Sequence, residues 1–135
     1  HQRAGSQSVV ELHGALGRSR CVACDRVTED LVPHATAPRC ECGGALRPDV
    51  VLFEEPLPVD AEHAAKRALR DCDLFLAIGT SGTVSPASNF VRSAAYEGAH
   101  TVYVNLTPMD PPNPAFRQTV LGRAEEVLPA LLGVE

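Results

Sequence analysis

The sequence predicts an α/β fold whose doubly wound, Rossmann-like parallel sheet is incomplete and carries a small inserted lobe. Three observations lead to this prediction. Apolar segments alternate with amphipathic segments through the second half of the chain, which is the pattern of strand, helix and strand. A Gly-Thr-Ser-Gly sequence follows one apolar segment, at the point where such sheets bind ligands. Earlier in the chain, two close cysteine pairs in a turn-rich stretch indicate a zinc-ribbon lobe: Cys21, Cys24, Cys40 and Cys42.

The first elements of the sheet are predicted from apolar runs and helical periodicity. Residues 48–53 are a mostly apolar run ended by a Pro-Leu-Pro sequence, and they predict a buried strand. Asp60 suits the N-cap of a helix over residues 61–70, where small apolar residues recur every three or four positions. Residues 73–78 are continuously apolar after Asp73, which is typical of a parallel strand buried on both faces.

The remaining elements repeat this alternation. Ser85 as the cap and Pro86 in the first turn predict a helix that ends at Gly98. Residues 101–106 form the third predicted strand, and a proline-rich loop follows it. Residues 124–132 predict a closing helix that is interrupted near its proline.

These patterns divide the chain into two parts. Residues 1–20 and 49–135 make up a partial Rossmann-like domain. Residues 21–48 make up the zinc-binding lobe, because the cysteines and many turn-forming residues are concentrated there. Residues 9–12 are apolar enough for a brief strand, which would deliver His13 to a loop.

Composition and charge exclude several classes of protein. A chain of 135 residues with 44% hydrophobic content can bury one core. The net charge of −5 and the lack of a long basic run argue against direct nucleic-acid binding. No apolar run has the length of a membrane span, so no membrane partner is expected. Four clustered cysteines and a fifth, Cys72, fit metal binding in a reducing cytoplasm, with Cys72 as a small apolar residue on the first helix.

The cysteine pairs are the strongest chemical signal in the sequence. Four thiolates from two tight turns suit a tetrahedral Zn²⁺, and such a closed site is structural because it leaves no position open for a substrate. The second pair, Cys40 and Cys42, is one residue closer than the usual spacing, which puts the zinc geometry in question. His34 is an alternative ligand, although four cysteines are available without it.

Polar residues at predicted strand ends are candidates for nucleotide binding. Gly79, Thr80 and Ser81 could bind ribose or phosphate oxygens through their backbone and hydroxyl groups, although a simple tight turn is the commoner use of such a sequence. Asn105 ends the next strand, and its amide could bind a pair of ribose hydroxyls.

Two further positions could take part in acid–base chemistry. His13, with Gly14 beside it, could accept a proton near neutral pH, or it could be a loop histidine bonded to a backbone carbonyl. Glu54 and Glu55 could work as a carboxylate pair, but two solvated charges at a strand exit are the simpler explanation.

Read together and in order, these motifs resemble the sirtuins, the NAD-dependent protein deacylases. The resemblance runs through all 135 residues, and its order and spacing are more specific than any single motif. The matching segments are residues 1–5, 11–14, the two cysteine pairs, 47–53, 73–81 and 104–106.

The resemblance implies a reaction and a role for each motif. In sirtuins the acyl group of an acyl-lysine passes to the ADP-ribose part of NAD with release of nicotinamide, and a histidine then activates a ribose hydroxyl. His13 would be this base, the partial Rossmann-like domain would bind NAD, and the zinc would be structural. The residues implied in cofactor binding are Gly79, Thr80, Ser81, Asn105 and Ala124. Those implied at the channel for the acylated lysine of a protein or peptide substrate are Val51, Phe53, Glu54 and Glu55.

The chain departs from the sirtuin pattern in three places. It has Phe53-Glu54-Glu55 where sirtuins usually have Phe-Gly-Glu, so a side chain could crowd the substrate or change which acyl groups fit. The second cysteine pair is tight. Sirtuins also carry an upstream Gly-Ala-Gly phosphate loop and a Thr-Gln-Asn-x-Asp segment, which are not in this sequence. If residues 1–135 are the whole polypeptide, we expect weak or no NAD turnover and a homodimer that covers the open sheet edge.

The sequence therefore predicts the C-terminal portion of a zinc-containing, NAD-dependent protein-lysine deacylase that is impaired or inactive as a short chain. One alternative is a non-catalytic, zinc-stapled α/β module that binds a nucleotide or a partner. Another is a different nucleotide-dependent enzyme on a similar sheet. Nicotinamide release that requires an acylated peptide distinguishes the deacylase from both.

Overall fold

The computed structural model describes residues 1–30 and 32–133. The chain forms two compact units, His1–Ala65 and Lys66–Glu135, each with its own three-stranded sheet. Within the described residues, no helix is both long enough and apolar enough to cross a membrane.

An antiparallel sheet organises the first unit. Its central strand β1 (Gly14–Cys21) pairs with β2 (Val27–Glu29) on one side and with β3 (Leu46–Val50) on the other. His13 lies immediately before the first residue of β1, and Cys21 is its last residue. One strand therefore connects the candidate base with the candidate metal ligands.

Two strands predicted in this unit are wrong. Residues 9–12 are not a strand but lead into a turn, in which the N–H of Gly14 donates to the carbonyl of Glu11 at 3.1 Å. The strand predicted at residues 48–53 lies earlier, as β3, and belongs to the antiparallel sheet rather than the parallel one. The apolar run misled because its last residues leave the sheet: Phe53 is 88% exposed.

Gly14 is required where β1 starts against β3. Its φ of +76° lies in the left-handed region, and a Cβ added there would lie 2.0 Å from the carbonyl oxygen of Asp49.

We expect Gly14→Ala to lower the free energy of unfolding by about 3 kcal/mol or more, because the energy of the steric overlap adds to that of the backbone strain. Urea unfolding measures the change. Gly5→Ala is the matched control, because Gly5 also has a positive φ (+93°) but a Cβ added there would have no atom within 4 Å. Equal losses of unfolding free energy in the two variants would contradict the overlap argument.

Helix α1 (Val59–Arg70) crosses the boundary between the units and begins two residues earlier than predicted. The N–H of Glu62 donates to the carbonyl of Pro58 at 2.9 Å, so Asp60 lies in the first turn rather than at the cap. Leu69 is the buried residue of α1, and the half-buried Cys72 packs against the same cluster. Cys72 is thus a small apolar core residue, as the sequence predicts.

The second unit contains the predicted parallel sheet. Its strands lie in the order β4 (Leu74–Ile78), β5 (His100–Asn105) and β6 (Gln118–Leu121). Helix α2 (Phe90–Tyr96) lies between β4 and β5 in the chain, and α3 (Ala124–Leu132) follows β6. The predicted α/β class with a parallel sheet is therefore confirmed.

Three details of this unit differ from the prediction. The helix predicted at residues 85–98 begins with a 3-10 turn over Ala87–Asn89, and regular α-helix starts only at Phe90. Strand β6 is missing from the prediction because its four residues are mostly polar or exposed and lack an apolar run. Helix α3 continues through Pro129, where an interruption was expected.

Strand β5 is the buried centre of the second unit. Its residues from Thr101 to Val104 are all buried although successive side chains point to opposite faces, so both faces of β5 are covered. Among the described residues β4 lies at the edge of the sheet, with Leu74 46% and Ile78 41% exposed. The prediction of a strand buried on both faces is therefore wrong for β4 and describes β5.

Candidate functional site

Four cysteine thiols converge in the first unit. Cys21 ends β1 and Cys24 follows it in a turn, while Cys40 and Cys42 come from the loop before β3. All four sulfur atoms lie within 4.8 Å of one another. The Sγ–Sγ distances are 3.5 Å for Cys21–Cys42, 3.5 Å for Cys24–Cys42 and 3.8 Å for Cys24–Cys40.

These distances fit a tetrahedral zinc ion. Zn–S bonds of about 2.3 Å at tetrahedral angles place the sulfur atoms about 3.8 Å apart. A disulfide would need a separation of about 2.05 Å, and all of the cysteines are free thiols. His34, the alternative ligand, lies outside the cluster, and its Nε2 is 2.6 Å from Asp30 Oδ1. The four cysteines could therefore hold a structural zinc, and the tight spacing of the second pair does not prevent their convergence.

Tight turns and a glycine allow the second pair to reach the first. The N–H of Cys40 donates to the carbonyl of Gly44 at 2.8 Å, and the N–H of Gly43 donates back to the carbonyl of Cys40 at 2.8 Å. A Cβ on Gly44 would lie 2.7 Å from the sulfur of Cys21. Glycine at this position therefore lets the two loops approach closely enough for their sulfur atoms to meet.

The clustered thiols shift one another's ionisation. The N–H of Ala23 donates to Cys21 Sγ at 3.4 Å, and this hydrogen bond is the main cause that lowers the pKa of Cys21 to about 6. The N–H of Arg26 acts to lower the pKa of Cys24, but the thiols of Cys42 and Cys21 outweigh it and raise that pKa to about 12. A metal that binds four thiolates must displace their remaining protons, so its affinity falls as the pH falls.

The predicted cofactor-binding residues lie at one edge of the parallel sheet in the second unit. Gly79, Thr80 and Ser81 follow the end of β4, Asn105 ends β5, and Ala124 begins α3 shortly after β6. All five are thus at the carboxyl ends of adjacent parallel strands. This is the edge at which open α/β sheets bind their ligands.

Hydrogen bonds connect the loop after β4 to the end of β5. Asn105 Nδ2 donates to the carbonyl of Thr80 at 2.9 Å and also to the hydroxyl of Tyr103. The Tyr103 hydroxyl donates to the same carbonyl at 2.9 Å, and Asn105 Oδ1 accepts from the N–H of Leu106 at 2.8 Å. Asn105 therefore shapes the loop, and its predicted contact with ribose would use the remaining lone pair of Oδ1. Sequence reasoning missed Tyr103, because a tyrosine inside an apolar strand carries no distinctive signal.

The loop after β4 is a tight turn with exposed hydroxyl groups. Ser81 Oγ and Thr83 Oγ1 are 2.9 Å apart, and the N–H of Gly82 donates to Thr80 Oγ1 at 3.2 Å. Gly79 and Gly82 adopt left-handed φ angles of +62° and +65°. The loop therefore combines the two interpretations of the sequence, since it is a tight turn whose Thr80 and Ser81 remain exposed.

His13 is an exposed residue in the turn that precedes β1. Its carbonyl accepts a hydrogen bond from the N–H of Val51 at 3.0 Å. Among the described residues its imidazole has no hydrogen-bond partner, unlike the side chain of His34. The ring is therefore accessible for proton transfer, and the backbone of the turn sets its position.

A chain of charged contacts supports the turn that contains His13. Arg18 donates to Glu11 at 2.6 Å and to Asp49 at 3.1 Å, Arg20 donates to the other oxygen of Asp49 at 2.9 Å, and Gln2 donates to Glu11 at 2.9 Å. Burial acts to raise the pKa of Asp49, but the two guanidinium groups lower it below its usual value. Sequence reasoning missed this network, because its members come from separate segments that no motif connects.

The predicted substrate-channel residues follow β3: Val51 is half-buried, and Phe53, Glu54 and Glu55 belong to an exposed turn. The N–H of Glu55 donates to the carbonyl of Leu52 at 3.1 Å and closes the turn. The Arg47 guanidinium donates to both oxygens of Glu55, at 2.5 and 2.8 Å, and the N–H of Leu52 donates at 2.9 Å. With Arg47 as the main cause, these bonds lower the pKa of Glu55 to about 2. The Glu55 carboxylate therefore stabilises the turn through these bonds. The Glu54 carboxylate has no such hydrogen bond among the described residues.

Glu54 occupies a backbone conformation that favours glycine. It is the third residue of the turn and has a φ of +70°, the pattern of a type II turn. Glycine, which the sirtuin pattern has at this position, adopts this conformation without strain. We expect Glu54→Gly to raise the free energy of unfolding by about 1 kcal/mol, because the relief of left-handed strain outweighs the smaller loss that comes from the added chain entropy of the unfolded state. Urea unfolding measures the gain. Glu54→Ala is the control, because it removes the carboxylate but keeps the Cβ; an equal gain there would show that strain is not the cause.

Comparison with known proteins identifies the family. The sequence profile of the Sir2 family matches residues 1–86. NAD-dependent protein deacylase 2 of Pyrobaculum aerophilum is 47% identical over 134 residues, which are 98% of this chain and 53% of the relative. NAD-dependent protein deacylase 1 of Pseudomonas aeruginosa is 42% identical over 142 residues, with 98% and 56% covered.

Solved structures agree with this result. A Sir2 homologue in complex with NAD has a TM-score of 0.91 and 34% identity, over 98% of this chain and 53% of its own. A Sir2 protein bound to a myristoylated histone peptide has a TM-score of 0.82 and 35% identity, over 98% of this chain and 59% of its own. The chain spans about half the length of the curated relatives it matches. On the extent and identity of these matches, the chain belongs to the Sir2 family.

Proposed function

We propose that this chain provides part of an NAD-dependent protein-lysine deacylase. The observation that carries the proposal is its continuous match, over 98% of its length, to proteins named as NAD-dependent deacylases. The structure supports it in two ways: polar residues gather at the carboxyl edge of a parallel sheet, and an exposed histidine has an imidazole available for proton transfer.

The proposed reaction breaks two bonds and forms one ester. The amide bond of the acyl-lysine and the bond between ribose and nicotinamide break, and the acyl group becomes esterified to a hydroxyl of ADP-ribose. The acyl oxygen takes the place of nicotinamide on the ribose and stays there as a hydroxyl, water supplies the carbonyl oxygen of the ester, and lysine leaves as the free amine. His13 would take the proton from the attacking ribose hydroxyl, which is the general-base role that histidine most often performs in enzymes.

The other residues have supporting roles in this proposal. Gly79, Thr80, Ser81, Asn105 and Ala124 would contact the adenosine half of NAD, and Val51, Phe53, Glu54 and Glu55 would border the acyl-lysine channel. The four clustered cysteines would hold a structural zinc in the lobe of residues 21–48, apart from the reaction. Free thiols at this site favour a reducing compartment such as the cytoplasm.

A chimera tests the proposal. In it, residues 1–135 replace the matching segment of the Pyrobaculum aerophilum deacylase, so that the chain is assayed within a protein of the family's full length. We expect nicotinamide release that requires both NAD and an acetyl-lysine peptide, and little or none from the 135-residue chain alone. The unmodified relative and a non-acylated peptide are the controls. A folded, zinc-loaded chimera without peptide-dependent nicotinamide release would contradict the proposal and favour the non-catalytic module.

A further inference from the structure

We propose that Arg18 is a positioning residue for His13 and that it acts through Glu11. This inference rests on the proposed function, because it takes His13 to be the base. The Arg18 guanidinium binds two carboxylates rather than the imidazole, so its effect on His13 passes through the backbone of the turn.

His13 lies between two residues that are each held in place. On its C-terminal side, Gly14 packs so closely on Asp49 that a Cβ would lie 2.0 Å from the carbonyl oxygen. On its N-terminal side, the Glu11 carboxylate accepts from Arg18 Nη2 at 2.6 Å. The imidazole itself has no hydrogen bond within the described part of the chain. The direction of the ring therefore depends on how well the backbone on both sides is fixed.

Arg18 connects the turn to the sheet because its guanidinium is a rigid fork. Nη2 binds Glu11 while Nε binds Asp49 on β3, so one side chain spans the turn and two strands. The side chains of Arg18, Glu11 and Asp49 are 30%, 28% and 11% exposed. Partial shielding makes these contacts less screened by salt than ion pairs on an open surface.

Arg20 provides an internal comparison for this argument. It lies two residues further along β1 and donates to the same Asp49, at 2.9 Å. Among the described residues it has no hydrogen bond or ion pair with Glu11. Removal of Arg20 therefore weakens the link between β1 and β3, whereas removal of Arg18 also releases the turn before His13.

A loosened turn affects one part of the reaction. A base must lie within hydrogen-bond reach of the proton it takes, and a displacement of about 1 Å can lower a rate by about 100-fold. In the proposed order of steps, nicotinamide leaves before His13 acts. A misplaced imidazole therefore slows acyl transfer and leaves the exchange of labelled nicotinamide with NAD intact.

The test compares Arg18→Met and Arg20→Met in the chimera, with Glu11→Gln as a second way to weaken the same bridge. Each variant is assayed for kcat and KM of acyl transfer, for labelled nicotinamide exchange, and for zinc content and unfolding midpoint. We expect Arg18→Met to lower kcat by about 100-fold and to leave KM for the peptide unchanged. Glu11→Gln should also lower kcat. Exchange should stay near that of the parent in both, and Arg20→Met should keep at least half of the parent kcat. Arg18→Lys should rescue only part of the loss, because an ammonium group cannot span both carboxylates.

The outcomes separate the two proposals. If the parent chimera shows no peptide-dependent nicotinamide release, the proposed function fails, and this inference fails with it. If the parent is active but Arg18→Met and Glu11→Gln retain its kcat, only the inference is overturned. An equal loss of kcat in Arg18→Met and Arg20→Met would also overturn it, since that pattern indicates general weakening of the sheet. If Arg18→Met does not fold, the kcat of Glu11→Gln decides.

Discussion

Replacement of Cys40 by serine is expected to abolish stoichiometric zinc binding and to unfold the lobe around it. The four sulfur atoms lie within 4.8 Å of one another, so each would contribute one of the four ligands of a closed site. Zinc binding to such sites contributes on the order of 10 kcal/mol, and this free energy is coupled to folding. The first unit otherwise buries few residues, so it has little else to hold the two cysteine loops together. Zinc content by atomic absorption should fall from one ion per chain to none, together with a lower unfolding temperature.

Cys72→Ser is the matched control for this experiment. Cys72 is also a free thiol, but it lies in the second unit and donates to the carbonyl of Leu69 at 3.4 Å, which a serine hydroxyl can also do. It should retain one zinc per chain. Full zinc content in Cys40→Ser and Cys42→Ser would show that the metal site has been wrongly assigned.

Replacement of His13 by alanine in the chimera is expected to lower the rate of acyl transfer by about 100- to 10,000-fold, the usual contribution of a general base. The fold should be unaffected, because the imidazole is exposed and has no hydrogen bond among the described residues. Exchange of labelled nicotinamide with NAD should persist, since the base acts after nicotinamide has left. The two rates are measured side by side on the same preparation.

His63→Ala controls for the loss of an imidazole elsewhere. His63 is exposed on α1 and belongs to no candidate site. It should match the parent in both assays. Undiminished acyl transfer in His13→Ala would rule out His13 as the base, and loss of both rates would place it in cofactor binding instead.

The parts of the fold that could be predicted from the sequence are those with a local pattern. Strand β5 and the helices α1 and α3 were predicted within one or two residues, because apolar runs and helical periodicity are properties of adjacent residues. Strand β1 was missed, because its alternating arginines do not form an apolar run. Its stability depends on pairing with β2 and β3, which lie elsewhere in the chain.

The candidate sites also differ in whether a local sequence pattern marks them. The cysteine pairs and the Gly-Thr-Ser loop are short motifs, so residue type and spacing were sufficient to identify them. Burial was not predictable from residue type, because similar apolar runs became the exposed edge strand β4 and the buried central strand β5. The position of a strand in its sheet decides how much of it water reaches.

By itself the sequence determined which chemical groups this protein presents: four clustered thiols, a histidine before β1 and a polar loop after β4. The tertiary structure decided how they are supported. Arg18 meets Asp49, 31 residues away in the sequence, and Tyr103 meets Thr80, 23 residues away. Such contacts arise only when strands from separate segments lie side by side, because the chain must first close the loops between them. A local sequence pattern therefore cannot predict these contacts.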